Sequence, residues 1–264
     1  NPILTWQTNT IGTLNVLESL RELKKNCTAV IITSDKSYKN LEFKRGYNEN
    51  DILGGKDPYS ASKASAELAI QSHISSFFPL KKTKVLIGIA RAGNIIGGGD
   101  WSENRLIPDC VKSWSENKKV LIRNPKSTRP WQHVLEAVYG YILLASSLKK
   151  NKKLHGEAFN FGPKNTQNYN VIFTVKLMQK YWKKILWKVI DKNKKSFYES
   201  NLLKLNCNKA RTNLKWKCIL SFTETIQMTT DWYKSYYLNS KKIYKTTFSQ
   251  INKYEKLLKE RSIK

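Results

Sequence analysis

Two short apolar runs constrain this chain more than any other feature. Residues 28–33 (TAVIIT) and 84–90 (KVLIGIA) are continuous and rich in β-branched side chains, the pattern of strands buried on both faces of a parallel sheet. Each run ends in polar residues: Ser34–Asp35–Lys36 after the first, Arg91 and then GNIIGGGDW after the second. Parallel neighbours cannot be joined by a tight hairpin, so the chain between them must cross over, usually through a helix. The intervening sequence supplies one. Asp57 is a good N-cap and Pro58 a first-turn proline, and a helix is predicted from there to about residue 78. A further helix over about 134–148 leads to a strand-like segment at 157–161. This alternation predicts an α/β fold with a mainly parallel sheet, whose ligands would lie outside the carboxyl ends of its strands.

The flanking segments read less sharply. A helix opens at Asn1–Pro2, carries an apolar stripe of Ile11, Leu14, Leu17 and Leu20, and stops at residues 24–26. A polar, glycine-containing loop runs to Lys56. A helix is predicted over 107–117 and a strand over 120–122. Beyond Pro163 the alternation loosens into a helix over 171–182, a strand over 185–189 and a short helix over 209–214. Ser221 and Glu224 form a capping-box pattern for a helix through Tyr237. The lysine-rich tail over 240–264 places Ile243, Ile251, Tyr254, Leu257 and Leu258 on one face of a surface helix. The expected division is an alternating strand–helix segment over 1–163, a smaller lobe over 164–239, and the tail.

Composition excludes several classes. No run of about 18 apolar residues exists, so no membrane span is expected. The four cysteines (Cys27, Cys110, Cys207, Cys218) form no CxxC pair and the three histidines are scattered, so no metal site is expected and reduced cytoplasmic thiols are the simplest reading. Net charge is +27, with 47 basic and 20 acidic side chains. Residues 151–264 alone carry 25 basic against 7 acidic groups. These are mostly lysines scattered among asparagines without a nucleic-acid motif, which reads as a compositional bias and not as a nucleic-acid surface. It leaves at most a modest attraction for small polyanions.

Chemistry enters at DPYSASK. Tyr59 and Lys63, four apart on one helix, share a face, and an ammonium beside a phenol favours the phenolate, a usable base. Taken alone the pairing is weak, because such pairs also occur on solvated helices. Gly97–Gly98–Gly99 permits close backbone approach to a ligand, or simply a flexible loop. Arg123 and Arg129 in RNPKSTRPWQHV suit bidentate phosphate binding, or are solvated charges.

In their order, TSDK, GYNENDILGGKDPYSASKASAE, RAGNIIGGGDW and RPWQHVLE resemble the extended short-chain dehydrogenase/reductase (epimerase/dehydratase) family, and within it the 4,6-dehydratases acting on CDP-glucose. The resemblance runs from Pro2 to Tyr237. It implies a partial Rossmann-type, doubly wound parallel sheet with a smaller C-terminal lobe, NAD as cofactor, a nucleotide-diphosphate sugar (CDP-glucose) as substrate, and a homodimer through helices at 1–25 and 59–78. By position it implies that Ser34 binds the sugar 4-hydroxyl, that Tyr59 is the base for C4 oxidation, and that Lys63 holds the nicotinamide ribose. Asp35 matches the acid of water elimination, and Lys36 stands where related dehydratases carry a carboxylate base. Asn94 matches a substrate-contacting amide, Arg129 and Arg123 a diphosphate clamp, and Asn9 a helix asparagine near the active site. The family's GxxGxxG turn has no equivalent in this sequence, since Gly97–Gly99 opens no helix. The expectation is therefore of a chain truncated at its N-terminal side that by itself binds NAD poorly or not at all. A 4-epimerase of the same fold, or a non-catalytic remnant, are the alternatives. An epimerase needs no Asp35–Lys36 pair.

Overall fold

The computed structural model describes residues 1–122, 124–163, 169–182, 186–189 and 203–262. The chain divides into two compact units that interleave in sequence. The first comprises Asn1–Gly93, Ala137–Asn165 and Leu202–Lys217; the second comprises Asn94–Glu136, Thr166–Asn201 and Cys218–Lys264. The expected 1–163 segment thus contributes to both, and the tail belongs to the second.

The first unit is built on a parallel sheet of β1 (Cys27–Ile32), β2 (Val85–Ala92) and β7 (Ala158–Phe161), in the order β1-β2-β7. Helix α3 (Pro58–Phe77) carries the chain from β1 to β2. Helix α5 (Val134–Lys150) precedes β7. Strand β2 is buried throughout, as its apolar run predicts. Strand β1 departs from the expectation of burial on both faces: it pairs on one side among the described residues, is only half-buried, and leaves Ile32 50% exposed.

Ahead of β1, α1 (Pro2–Trp6) and α2 (Gly12–Arg21) form the predicted helix. A π-helical turn over Gln7–Ile11 joins them. Leu17, Ile70, Phe78, Val85, Ile87 and Ile89 make the core between these helices and the sheet. Helix α7 (Asn208–Asn213) completes the unit.

The second unit has short pairings that periodicity does not reveal. β3 (Ile95–Ile96) runs parallel to β6 (Gln132–His133), and β4 (Val120–Ile122) parallel to β9 (Trp187–Val189). β5 (Thr128–Arg129) runs antiparallel to β8 (Tyr169–Asn170). Around them lie α4 (Leu106–Ser115), α6 (Val171–Gln179) and α8 (Phe222–Leu238), packed through Cys110, Trp114, Val175, Met178, Phe222, Ile226 and Tyr233. Helix α8 carries the predicted capping box.

The tail is a helix, α9 (Ile243–Ser262), fastened by polar contacts as much as by its apolar face. Tyr254 is buried and donates to Glu136 Oε2 at 2.8 Å, while the backbone N–H groups of Ile219 and Leu220 donate to Glu136 Oε1 at 2.7 and 2.6 Å. Arg261 donates to both carboxylate oxygens of Glu224, at 2.8 and 2.9 Å, so the tail closes over the capping box of α8. That guanidinium, against a smaller opposing effect of burial, draws the Glu224 carboxyl down to about 2.

Two stability predictions follow from this unit. Tyr254→Phe removes a hydrogen bond to a buried carboxylate and is expected to cost about 1–3 kcal/mol in thermal or urea unfolding. His133 is buried, its Nδ1 accepts from the Leu135 N–H at 3.2 Å, and its Nε2 has no partner among the described residues. Burial pushes its pKa from 6.5 down to about 4. The unfolded chain then binds a proton below pH 6.5 that the folded chain refuses until about pH 4. Stability should fall across that window as the pH drops, by about 3 kcal/mol in total. In His133→Leu this part of the pH slope should vanish; an unchanged slope would refute the assignment.

Candidate active site

Five of the expected site residues lie in the first unit, at the carboxyl end of β1 and the amino end of α3. Ser34, Asp35 and Lys36 form a tight turn, because β1 gives way directly to a 3-10 turn over Asp35–Ser37 that Ser34 caps. The Ser34 hydroxyl donates to Asp35 Oδ1 at 3.0 Å and accepts the Lys36 backbone N–H at 3.1 Å. Ser34 and Asp35 are buried, 6% and 3% exposed, and Lys36 is half-buried.

Asp35 owes its position to a residue that sequence reasoning does not single out. A Cβ on Gly93, in the turn after β2, would stand 2.0 Å from Asp35 Oδ2 and 2.1 Å from its Cγ. Only a glycine lets this carboxylate lie against the backbone there.

The turn packs on the start of α3. There Asp57 Oδ1 accepts the N–H groups of Tyr59 and Ser60, both at 3.0 Å, and its Oδ2 accepts the Ser60 hydroxyl at 2.6 Å. Burial raises the Asp57 pKa, but the Ser60 hydroxyl, these N–H groups and the nearby Lys36 ammonium outweigh it, and the net shift is downward. Tyr59 is 45% exposed on the first turn. Lys63, one turn on, is half-buried, and desolvation lowers its pKa while Glu67 opposes that shift. On the helix preceding β1, Asn9 lies in the π-turn and donates from Nδ2 to Ser62 Oγ at 3.0 Å, tying that turn to α3. Single π-turns inside helices recur at functional sites.

Behind the turn the three strand ends meet in a buried polar network. Glu67 and Arg91, 0% and 1% exposed in their side chains, form a bidentate ion pair. Arg91 also donates to the Tyr38 hydroxyl at 2.8 Å, which donates in turn to Asn160 Oδ1 at 2.8 Å. The Asn160 N–H donates to Glu49 Oε1 at 2.9 Å. The Glu67 carboxylate holds the Arg91 guanidinium in its charged form despite the penalty of burial.

The remaining expected residues belong to the second unit. Asn94 takes a left-handed backbone, φ +51°, and its carbonyl accepts the Gln132 N–H at 3.1 Å. Arg129 is half-buried on β5 and donates from Nη1 to the Thr128 carbonyl at 2.8 Å. Arg123 lies outside the described residues. The glycine run serves packing: a Cβ on Gly98 would fall 1.9 Å from the Trp232 ring, and Gly99 has φ +85°. Among the described residues no cluster of three or more His, Cys, Asp or Glu side chains could hold a metal, all four cysteines are free, and no helix is long and apolar enough to cross a membrane.

Comparison with known proteins places the chain among sugar-nucleotide enzymes by sequence. A sequence model of the GDP-mannose 4,6 dehydratase family matches residues 1–229. CDP-glucose 4,6-dehydratase of Salmonella typhimurium is 42% identical over 239 residues, which cover 89% of this chain and 66% of that protein. Among solved structures, dTDP-glucose 4,6-dehydratase of Bacillus anthracis in complex with NAD superposes with a TM-score of 0.69 at 22% identity, over 89% of this chain and 70% of that one. An epimerase of Methanothermobacter thermautotrophicus gives a TM-score of 0.77 at 22% identity, over 90% and 68%. The chain thus spans about two thirds of the length of these relatives. With the family model matching most of its length, the chain belongs to the GDP-mannose 4,6 dehydratase family.

Proposed function

We propose that the protein is a nucleotide-sugar 4,6-dehydratase that converts CDP-glucose to CDP-4-keto-6-deoxyglucose with NAD as cofactor. The observation that carries this reading is the Ser34–Asp35–Lys36 turn, its first two residues buried, packed on the Tyr59–Lys63 helix start. The half-buried Lys63 and the adjacent Tyr59 fit the ribose and nicotinamide end of NAD. When bound, NAD supplies the acceptor for hydrogen leaving C4 and returns it to C6.

The protein's own groups manage the protons. Tyr59 takes the proton of the 4-hydroxyl, which Ser34 orients, as C4 becomes a ketone. That ketone acidifies C5–H. Lys36 removes the C5 proton and Asp35 gives a proton to the departing C6 hydroxyl, so water leaves across C5–C6. The proton then returns to C5 as C6 is reduced. Asn94 and Arg129, with Arg123, would hold the sugar and its diphosphate.

A 4-epimerase on this fold is the second reading, favoured by the fold likeness to the Methanothermobacter epimerase. Epimerisation needs no acid and base at C5–C6. The glycine reserved for Asp35 argues for elimination.

The dimer we infer would use α1, α2 and α3, whose Ile3, Leu4, Val16 and Leu68 are all more than half exposed. Soluble monomers rarely leave such surface uncovered. A monomer in sedimentation would contradict it.

The full-length protein incubated with CDP-glucose and NAD+ should build the alkali-dependent absorbance of a 4-keto-6-deoxy sugar. Turnover of dTDP- or GDP-sugars in its place would sink the substrate assignment. Tyr59→Phe should abolish C4 oxidation, whereas Lys36→Ala should allow it and stall elimination. Gly93→Ala forces the Asp35 carboxylate to move and should likewise stall elimination, with about a 100-fold loss in kcat. Wild-type turnover in Gly93→Ala would deny Asp35 its acid role.

A further inference from the structure

The elimination acid and base must be held at a fixed distance from the oxidising tyrosine, yet the two sets of groups come from different elements. Ser34, Asp35 and Lys36 follow a half-buried edge strand, while Tyr59 and Lys63 ride on α3. One carboxylate joins them. Glu67 stands two turns after Tyr59 and one after Lys63 on the same helix face. Its Oε1 accepts the Thr33 hydroxyl at 2.6 Å, on one side of the triplet. On the other side the Ser37 hydroxyl shares its single proton between Glu67 Oε1, at 2.9 Å, and the Ser34 carbonyl, at 2.7 Å. Arg91 of β2 clamps the same carboxylate from behind through Nε and Nη2. Thr33, Ser37, Glu67 and Arg91 are all buried.

We infer that Glu67 is a positioning residue: it pins the Ser34–Asp35–Lys36 turn to the helix of Tyr59 and Lys63, and so sets the register between oxidation and elimination. The inference rests on the dehydratase reading for its catalytic consequence but not for its structural one. A buried carboxylate needs partners, and Arg91 alone supplies enough charge and donors for stability. The hydroxyls on either side of the triplet are a separate provision, and they act on the turn.

The two roles can therefore be separated by substitution. Glu67→Gln leaves Arg91 buried beside a neutral amide and is expected to fold poorly, so it is not the decisive variant. Thr33→Val with Ser37→Ala keeps the ion pair and cuts both ties to the turn. Glu67→Asp keeps the charge but draws it back from both hydroxyls. For these variants amide hydrogen exchange at Lys36, Ser37 and Tyr38 should accelerate by about 10-fold or more, while the Ile87 and Ile89 amides of β2 keep wild-type protection. In the full-length protein kcat should fall about 10- to 100-fold with KM within about 3-fold of wild type, and the cofactor should accumulate in its reduced, absorbing form because oxidation outruns elimination.

Unchanged exchange at the turn overturns the inference, since the turn then holds itself. Faster exchange with wild-type kcat also overturns it, since the pin would be structural only. If the wild-type protein dehydrates no nucleotide sugar, the dehydratase reading falls instead, and exchange in the double variant alone decides whether Glu67 holds the turn.

Discussion

The ion pair between Glu67 and Arg91 is the interaction on which the rest of the first unit depends. Neither charge has access to water, so each is tolerable only because the other is present with matched geometry. The pair could be replaced by apolar side chains as far as folding is concerned. An apolar pair would lack the spare lone pairs that receive Thr33 and Ser37 and the spare donors that reach Tyr38. From that centre the ends of β1, β2 and β7 are joined: Thr33 follows β1, Arg91 lies in β2, and Asn160 lies in β7. A parallel sheet aligns its strands through the backbone ladder but leaves their carboxyl ends to diverge into loops. The polar network is what makes those ends a rigid platform.

The main sheet was legible because its signal is local and strong. β-branched runs of the right length, bounded by polar residues, located β1 and β2, the helix–strand alternation located β7, each to within one or two residues, and Asp57–Pro58 marked the start of α3. The short pairings β3–β6 and β5–β8 were not legible, because two residues carry no period and the pairing is decided by partners distant in sequence. The interleaving of the two units escaped for a related reason. A chain that leaves one unit at Gly93 and returns at Ala137 shows no linker composition, since both crossings occur inside ordered segments.

At the candidate site, residue identity was readable from motifs while residue environment was not. The Tyr59–Lys63 spacing and the Ser34–Asp35–Lys36 turn are visible as letters. That Asp35 is buried against Gly93, or that Asn9 spends its amide on Ser62, depends on close approaches that no one-dimensional pattern encodes. The glycines show the same limit in reverse. Gly97–Gly99 drew attention as a ligand-approach loop, yet Gly98 lies under the indole of Trp232. Gly93, less conspicuous in RAGN, is the one that touches a candidate catalytic carboxylate.

The C-terminal helix sharpens what the lysine excess means. The sequence reads residues 240–264 as a lysine-rich surface helix with one apolar face, and most of its lysines are indeed exposed. Its fixed points are of another kind. Tyr254 enters the core of the second unit to reach Glu136, three residues beyond His133 in the stretch that begins at Arg129, and Arg261 completes the cap of α8. An exposed lysine face tolerates drift in sequence because each charge is individually solvated, whereas a buried tyrosine on a buried carboxylate does not. The charge is therefore the solvated coat of this helix, and its two polar anchors are what fasten it to the second unit.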